Sequence, residues 1–186
     1  MTRFRWLVAF LTLWATLGCI IFLGGPDYPT TSVPFSPEMG QTAQAQLKTA
    51  IAEATQSGRF TLTLTQEHLT ALLNARLQER SGLNFKEPLV LLHPDVMEIY
   101  GKVQQGNVVA NVKISLAVSV NAQGKPQFQI VSVVLGPLPL PQGVLESITA
   151  MLNEAFVGAV GPAATGLRLE SIVIEEGRLT LRGRVR

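Results

Sequence analysis

The sequence predicts an α+β protein: an N-terminal transmembrane helix, then a long antiparallel sheet packed on one main helix, with two further helices. Three observations predict it. The run from Trp6 to Leu23 is apolar and uncharged, residues Val108 to Val120 alternate without a break, and three separate apolar stripes recur at helical spacing.

At about 1.5 Å rise per residue, residues 6–23 reach roughly 27 Å, close to the thickness of a bilayer's hydrocarbon core. Thr12 and Thr16 can return their hydroxyls to the helix backbone. Arg3 and Arg5 precede the run and no Lys or Arg follows until Lys48, so residues 1–5 are expected in the cytoplasm and the rest outside it. The expected location is the cell membrane, as a single-pass protein. Cys19, the single cysteine, leaves an alternative open: a lipoprotein signal cleaved before it. Against that, Thr16 stands where such a signal has leucine, and Ile20, Ile21, Phe22 and Leu23 continue the apolar run past the cleavage point. Either way the domain has no disulfide framework and needs an ordinary core.

Residues 24–37 read as a Pro-rich stalk, because "DYPTTSVPFSP" has three prolines and little that packs. Residues 38–186 are expected to form the extracytoplasmic domain. Met39, Ala43, Leu47, Ala50, Ile51 and Ala54 give a first helix closed by Gly58. "RFTLTLT" alternates into a half-buried strand. Thr65 then caps a second helix striped by Leu69, Leu72, Leu73 and Leu77, with His68 where a full capping box has Glu. "DVMEIYGKVQ", Val108–Val120 and Phe128–Leu135, joined at Gln105-Gly106-Asn107 and "NAQGKP", make a meander with one polar and one apolar face. The prolines of "GPLPLPQ" stop the sheet. A main helix follows from Pro141, striped by Leu145, Ile148, Met151, Leu152, Ala155 and Phe156. Glu176-Gly177 turns a last hairpin, in which Arg178, Arg182, Arg184 and Arg186 share one strand face, read as a solvated edge.

Several of these stretches carry a resemblance. The N-terminal anchor, "FTLTLTQEHLTALLNARL", "DVMEIYGKVQ", "NAQGKP" and "VLGPLPLPQGVLESI" resemble the YpmS-like family of membrane-anchored bacterial proteins. "IEEGRLTLRG" is similar to the closing motif of the broader LmeA-like phospholipid-binding group. The resemblance implies an extracytoplasmic domain whose long sheet is curled around a helix, in the manner of tubular lipid-binding folds. Its motifs are turns and caps, so it carries over no functional residue.

The residues themselves suggest no catalysis. His68 has no partner ligand at helical spacing, so a zinc-protease arrangement is missing. His93 and Asp95 in "LLHPDV" read as a turn, and no Gly-x-Ser-x-Gly elbow accompanies them. Glu175 and Glu176 are adjacent and point oppositely in a strand. No cofactor or metal is expected. Beyond the anchor thirteen Lys and Arg balance thirteen Asp and Glu, which disfavours nucleic acid as a partner.

What remains is the apolar sheet face. A strand of roughly 43 Å outruns a single helix of about 27 Å, so part of that face needs other cover. The expectation is a lipid-binding groove lined by Val112, Ile114, Leu116, Val118, Leu145, Ile148 and Leu152, with membrane lipid as partner. The alternative is an envelope scaffold that binds a protein or glycan. The arginine row offers a further contact, with headgroups or with a partner.

Overall fold

A computed structural model describes residues 20–30, 36–79, 85–136 and 167–185. In chain order its elements are β1 (Ile21–Phe22), α1 (Pro37–Ser57), β2 (Arg59–Thr65), α2 (Gln66–Glu79), β3 (Phe85–His93), β4 (Val96–Gln105), β5 (Val108–Val120), β6 (Pro126–Leu135), β7 (Leu167–Glu175) and β8 (Arg178–Val185). The architecture is α+β, a curled sheet with two described helices. The expected main helix from Pro141 lies outside the described residues, as do positions 6–19 of the expected anchor. No helix among the described residues is long and apolar enough to cross a membrane.

The strands form two sheets rather than one. In the larger, β3, β4 and β5 are successive antiparallel neighbours, and β5's other side is shared by β6, antiparallel along Val112–Val120, and β1, parallel at Val108 and Val109. The smaller sheet has the order β2-β8-β7, antiparallel throughout. The first and last strands of the domain pair with each other because Phe60, Leu62 and Leu64 alternate in step with Leu179 and Leu181.

β7 crosses the end of the larger sheet. The Leu169 N–H donates to Gly124 O in the β5–β6 turn, and the Asp95 N–H in the β3–β4 turn donates to Ile174 O. The Gly177 N–H, beyond β7, donates to Leu92 O. β1 instead meets β5 at its start, where the Ile21 N–H donates to Asn107 O. The N-terminal segment and the smaller sheet therefore sit at opposite ends of β5, about 40 Å apart along the strand at roughly 3.3 Å per residue.

Two bulges bend the larger sheet. In β6 the register slips between Ser115 and Leu116, leaving Val131 unpaired. Phe128 and Ile130 then share the inner face with Val133 and Leu135, although these pairs differ in parity. In β3 the slip falls between Lys86 and Leu89, where Glu87 adopts φ 52°. The conformation is held from two sides: the Tyr28 hydroxyl donates to Glu87 O at 2.6 Å, and the Glu87 carboxylate pairs with Lys102.

One core unites both sheets and both helices. The inner face of the large sheet (Val90, Leu92, Met97, Ile99, Val112, Ile114, Leu116) joins Leu69, Leu73 and Leu77 of α2, Ala43, Ala50 and Ala54 of α1, and Leu62, Leu64, Ile174 and Leu179 of the small sheet. α2 also covers the free edge of β3, whose Val90 N–H donates to the buried Thr70 Oγ1 at 2.9 Å. Thr70→Val leaves that N–H buried without an acceptor. It is expected to cost about 1–3 kcal/mol in urea unfolding, whereas Thr70→Ser keeps the bond and costs less.

The N-terminal segment departs from expectation in two places. Ile20–Leu23, read as the last positions of the membrane helix, are not helical: Ile21 and Phe22 extend the sheet, because β6 ends at Leu135 and leaves β5's first residues open to a partner. Gly24–Thr30, read as free stalk, is docked. The Asn111 N–H donates to Gly24 O and the Asn111 side-chain amide to Pro26 O, while Tyr28 reaches β4 and β3. Gly25 makes the close approach possible, with φ 135° and Asn111 O at 2.6 Å from where a Cβ would lie.

Candidate functional site

Val112, Ile114 and Leu116 alternate inward on β5 and are fully buried, and Val118 follows them half-buried at the rim. The other three expected groove residues, Leu145, Ile148 and Leu152, lie outside the described residues. The structure brings two further apolar side chains to the same face. Ile130 lies opposite Leu116, and Val133 opposite Ile114, both half-buried against the core with Val118 and Val120. A strict alternation assigns Ile130 and Val133 to different faces, and the Val131 bulge reunites them. Among the described elements β7 packs on β5 and α2 on β3, while β6 makes its main contacts with β5 alone. Among the described elements the apolar face is thus covered more towards β3 than towards β6.

The opposite face of the large sheet joins polar groups on β4 and β5 to a small apolar cluster of Leu89, Leu91, Tyr100 and Tyr28. Glu98 accepts from the Tyr100 hydroxyl at 2.8 Å and pairs with Lys113 at 2.7 Å. His93 Nδ1 lies 3.2 Å from Glu176, and its Nε2 3.8 Å from Glu98. Tyr28 meets Tyr100 edge-on at 6.2 Å between centroids, and the Lys102 and Lys113 ammonium groups lie over the Tyr28 and Tyr100 rings at 5.8 and 5.4 Å. Partial burial opposes ionisation of Glu98, but hydrogen bonds from Lys113 and Tyr100 outweigh it and hold the carboxyl below its usual range. The hydrogen bond to Glu98 raises Lys113. Burial first, and then Glu98, raises Tyr100.

A carboxyl depressed on folding stabilises the protein above its unfolded pKa, and the contribution vanishes as pH falls through the folded value. Glu98→Gln is therefore expected to lower the thermal midpoint near neutral pH. The difference between the wild type and the variant should shrink as pH falls below the ordinary carboxylate value of about 4.3 and vanish only once pH has passed below the depressed folded value of Glu98.

No catalytic geometry emerges from the histidines. His68 completes a capping box in place of Glu: its N–H donates to Thr65 Oγ1, and its Nδ1 accepts from the Thr65 N–H, each at 3.4 Å. His93 closes β3 and Asp95 lies within the β3–β4 turn, as expected, at φ 64°. Among the described residues no group of three or more His, Cys, Asp or Glu could hold a metal ion.

Arg178, Arg182 and Arg184 share the outer face of β8, as expected, and Arg186 lies outside the described residues. The reading of that strand as an edge is corrected: β8 is central, between β2 and β7, so its arginines guard no free edge. Strand pairing also recruits arginines distant in sequence. Arg59 on β2 and Arg168 on β7 both lie opposite Arg184, forming a row of three cations across strands about 4.8 Å apart. Thr61, Thr63, Thr65, Thr180 and Ser171 surround the row with hydroxyls.

Like charges in register repel, and the row is relieved in two places. Arg184 reaches Glu170 at 3.3 Å, and Arg168 donates to Ala122 O at 3.0 Å, laying its stem against Gly124. Arg178 pairs with Glu175 at 3.7 Å. Among the described residues Arg59 and Arg182 have no ion-pair partner.

Comparison with known proteins adds little. No family model matches the chain, and no curated protein matches it. Among solved structures, a crystal structure of lipopolysaccharide binding protein is similar at TM-score 0.22 and 8% identity over 77% of this chain. The chain spans 46% of that protein's length, and a likeness this slight carries no argument about fold or ligand.

Proposed function

We propose that the protein is a membrane-anchored, extracytoplasmic domain of the YpmS-like and LmeA-like type, which binds or shuttles a lipid-like apolar ligand without covalent chemistry. The reading rests on one observation: the β6 half of the large sheet's inner face, with Val118, Val120, Ile130 and Val133, is apolar and half-buried, and the described elements cover it less than the β3 half. Each methylene such a face withdraws from water contributes about 0.8 kcal/mol, so an acyl chain needs no polar recognition to bind. The finer arrangement, a curled sheet wrapping a main helix with the ligand between them, belongs to the same proposal.

Native mass spectrometry of the full chain, released from detergent micelles with and without added phospholipid, tests it. A discrete lipid adduct on the wild type, lost in Val118→Arg and Ile130→Asp, is expected. A bare polypeptide mass under both conditions contradicts the reading.

A second reading is favoured by a different observation. The arginine and threonine face of the small sheet, with Arg59 and Arg182 free of ion pairs among the described residues, suits an anionic envelope partner, protein or glycan. Binding that weakens with salt and falls in Arg59→Ser with Arg182→Ser supports it.

A further inference from the structure

We propose that the edge formed by β1 and β6 lies flat on the bilayer, so that the large sheet is held side-on to the membrane rather than standing away from it on a stalk. This rests on the reading, given above, of an N-terminal membrane anchor, expected over residues 6–23, of which positions 6–19 lie outside the described residues.

The observations converge on this edge from three directions. Ile20, Ile21, Phe22, Val131, Val134 and Val173 are the large apolar side chains left exposed among the described residues; all but Val173 lie on β1, just before it or on β6, with Phe22 at 59% and Val131 at 62%. Register places Phe22 opposite Val109 and Val134 opposite Lys113, so both belong to the same sheet face along the same side of β5. The edge also carries no charge: neither residues 20–26 nor residues 126–136 include an Asp, Glu, Lys or Arg. Exposed edge strands are ordinarily guarded by charges. An uncharged edge with bare valines calls for a cover.

The chain's own course selects the occupant. The uncharged apolar run from Trp6 passes through Cys19 into β1 without a polar linker, and β1 is hydrogen-bonded to β5 at Asn107 and Val109. Tyr28 and Asn111 fasten the next residues across the sheet, so no free tether separates the run from the domain. Where the run leaves the hydrocarbon, the β1–β6 edge is already at the interface. The contact belongs at headgroup depth, since β6's outward N–H and C=O groups, which pair with no described strand, need polar partners that the hydrocarbon core lacks.

The test uses the full chain in nanodiscs of phosphatidylcholine and phosphatidylglycerol. In a Cys19→Ser background, single fluorophores are attached at Val131→Cys, Val134→Cys, Val173→Cys or Thr12→Cys, with nitroxide quenchers on the lipid headgroup or the acyl chain. Headgroup nitroxide is expected to quench the labels at 131 and 134 at least about twofold more than the label at 173, as for groups lying within the interface. Acyl nitroxide is expected to quench the label at 12. Quenching at 12 without quenching at 131 and 134 overturns the edge contact and leaves the anchor standing. No quenching at 12 removes the anchor, and the proposal with it. Self-quenching at 131 and 134 that disappears on dilution with unlabelled protein, without lipid quenching, assigns the edge to a second copy of the chain and overturns the proposal.

Discussion

Leu116→Ala is expected to destabilise the protein by about 3 kcal/mol, within the 2–5 kcal/mol range of buried leucine truncations. Leu116 is fully buried at the centre of β5, between Met97 on β4 and Ile130 on β6. Met97 belongs to a strand hydrogen-bonded on both sides and Ile130 to one paired with β5 itself, so neither side chain moves readily into the space left behind. Urea unfolding measures the loss. Val118→Ala provides the contrast. Val118 is half-buried at the rim, where truncation should cost under about half as much while weakening lipid binding. If Val118→Ala instead destabilised the protein as much as Leu116→Ala and left lipid binding unchanged, Val118 would belong to a closed core.

Gly101→Val is expected to be the most disruptive small-to-large change in the large sheet. The Phe85 ring lies directly over Gly101, where a Cβ would overlap three of its carbons. Gly101 pairs with the fully buried Val112, so the ring fills a place that the strand leaves without a side chain. Overpacking of this kind costs about 1–3 kcal/mol or more. The ring has little room to retreat because the β3 bulge follows immediately. The double variant Gly101→Val with Phe85→Ala is expected to be less destabilised than the sum of the two single changes, since the new side chain occupies the vacated volume. Strict additivity would show that the two positions do not share that space.

Much of this fold is legible in the sequence where a period is long and unbroken. The alternation of Val108–Val120 and of "RFTLTLT" gives strands with the expected bounds, and the stripes ending at Gly58 and in "LLNARL" give the two described helices. His68 sits in the capping position that spacing assigns to it. What escapes is set by interactions between distant segments. The division into two sheets depends on β2 pairing with β8, and no local pattern encodes a pairing across more than a hundred residues. The arginine row gains Arg59 and Arg168 by the same route. Ile130 and Val133 are separated by parity until the Val131 bulge joins them. Tyr28 looks like part of a Pro-rich stalk because its partners, Tyr100, Lys102 and Glu87, lie far along the chain.

The central claim is that the large sheet's apolar face holds a lipid-like ligand towards β6. Photo-crosslinking tests it most directly: the full chain is reconstituted with a phospholipid carrying a diazirine on its acyl chain, irradiated, digested and mapped by mass spectrometry. The account predicts crosslinks within residues 111–120 and 126–136, at inward positions such as Val118, Ile130 and Val133, and their loss in Val118→Arg. Crosslinks confined to residues 6–23, with the inner face of the sheet unlabelled, would contradict it.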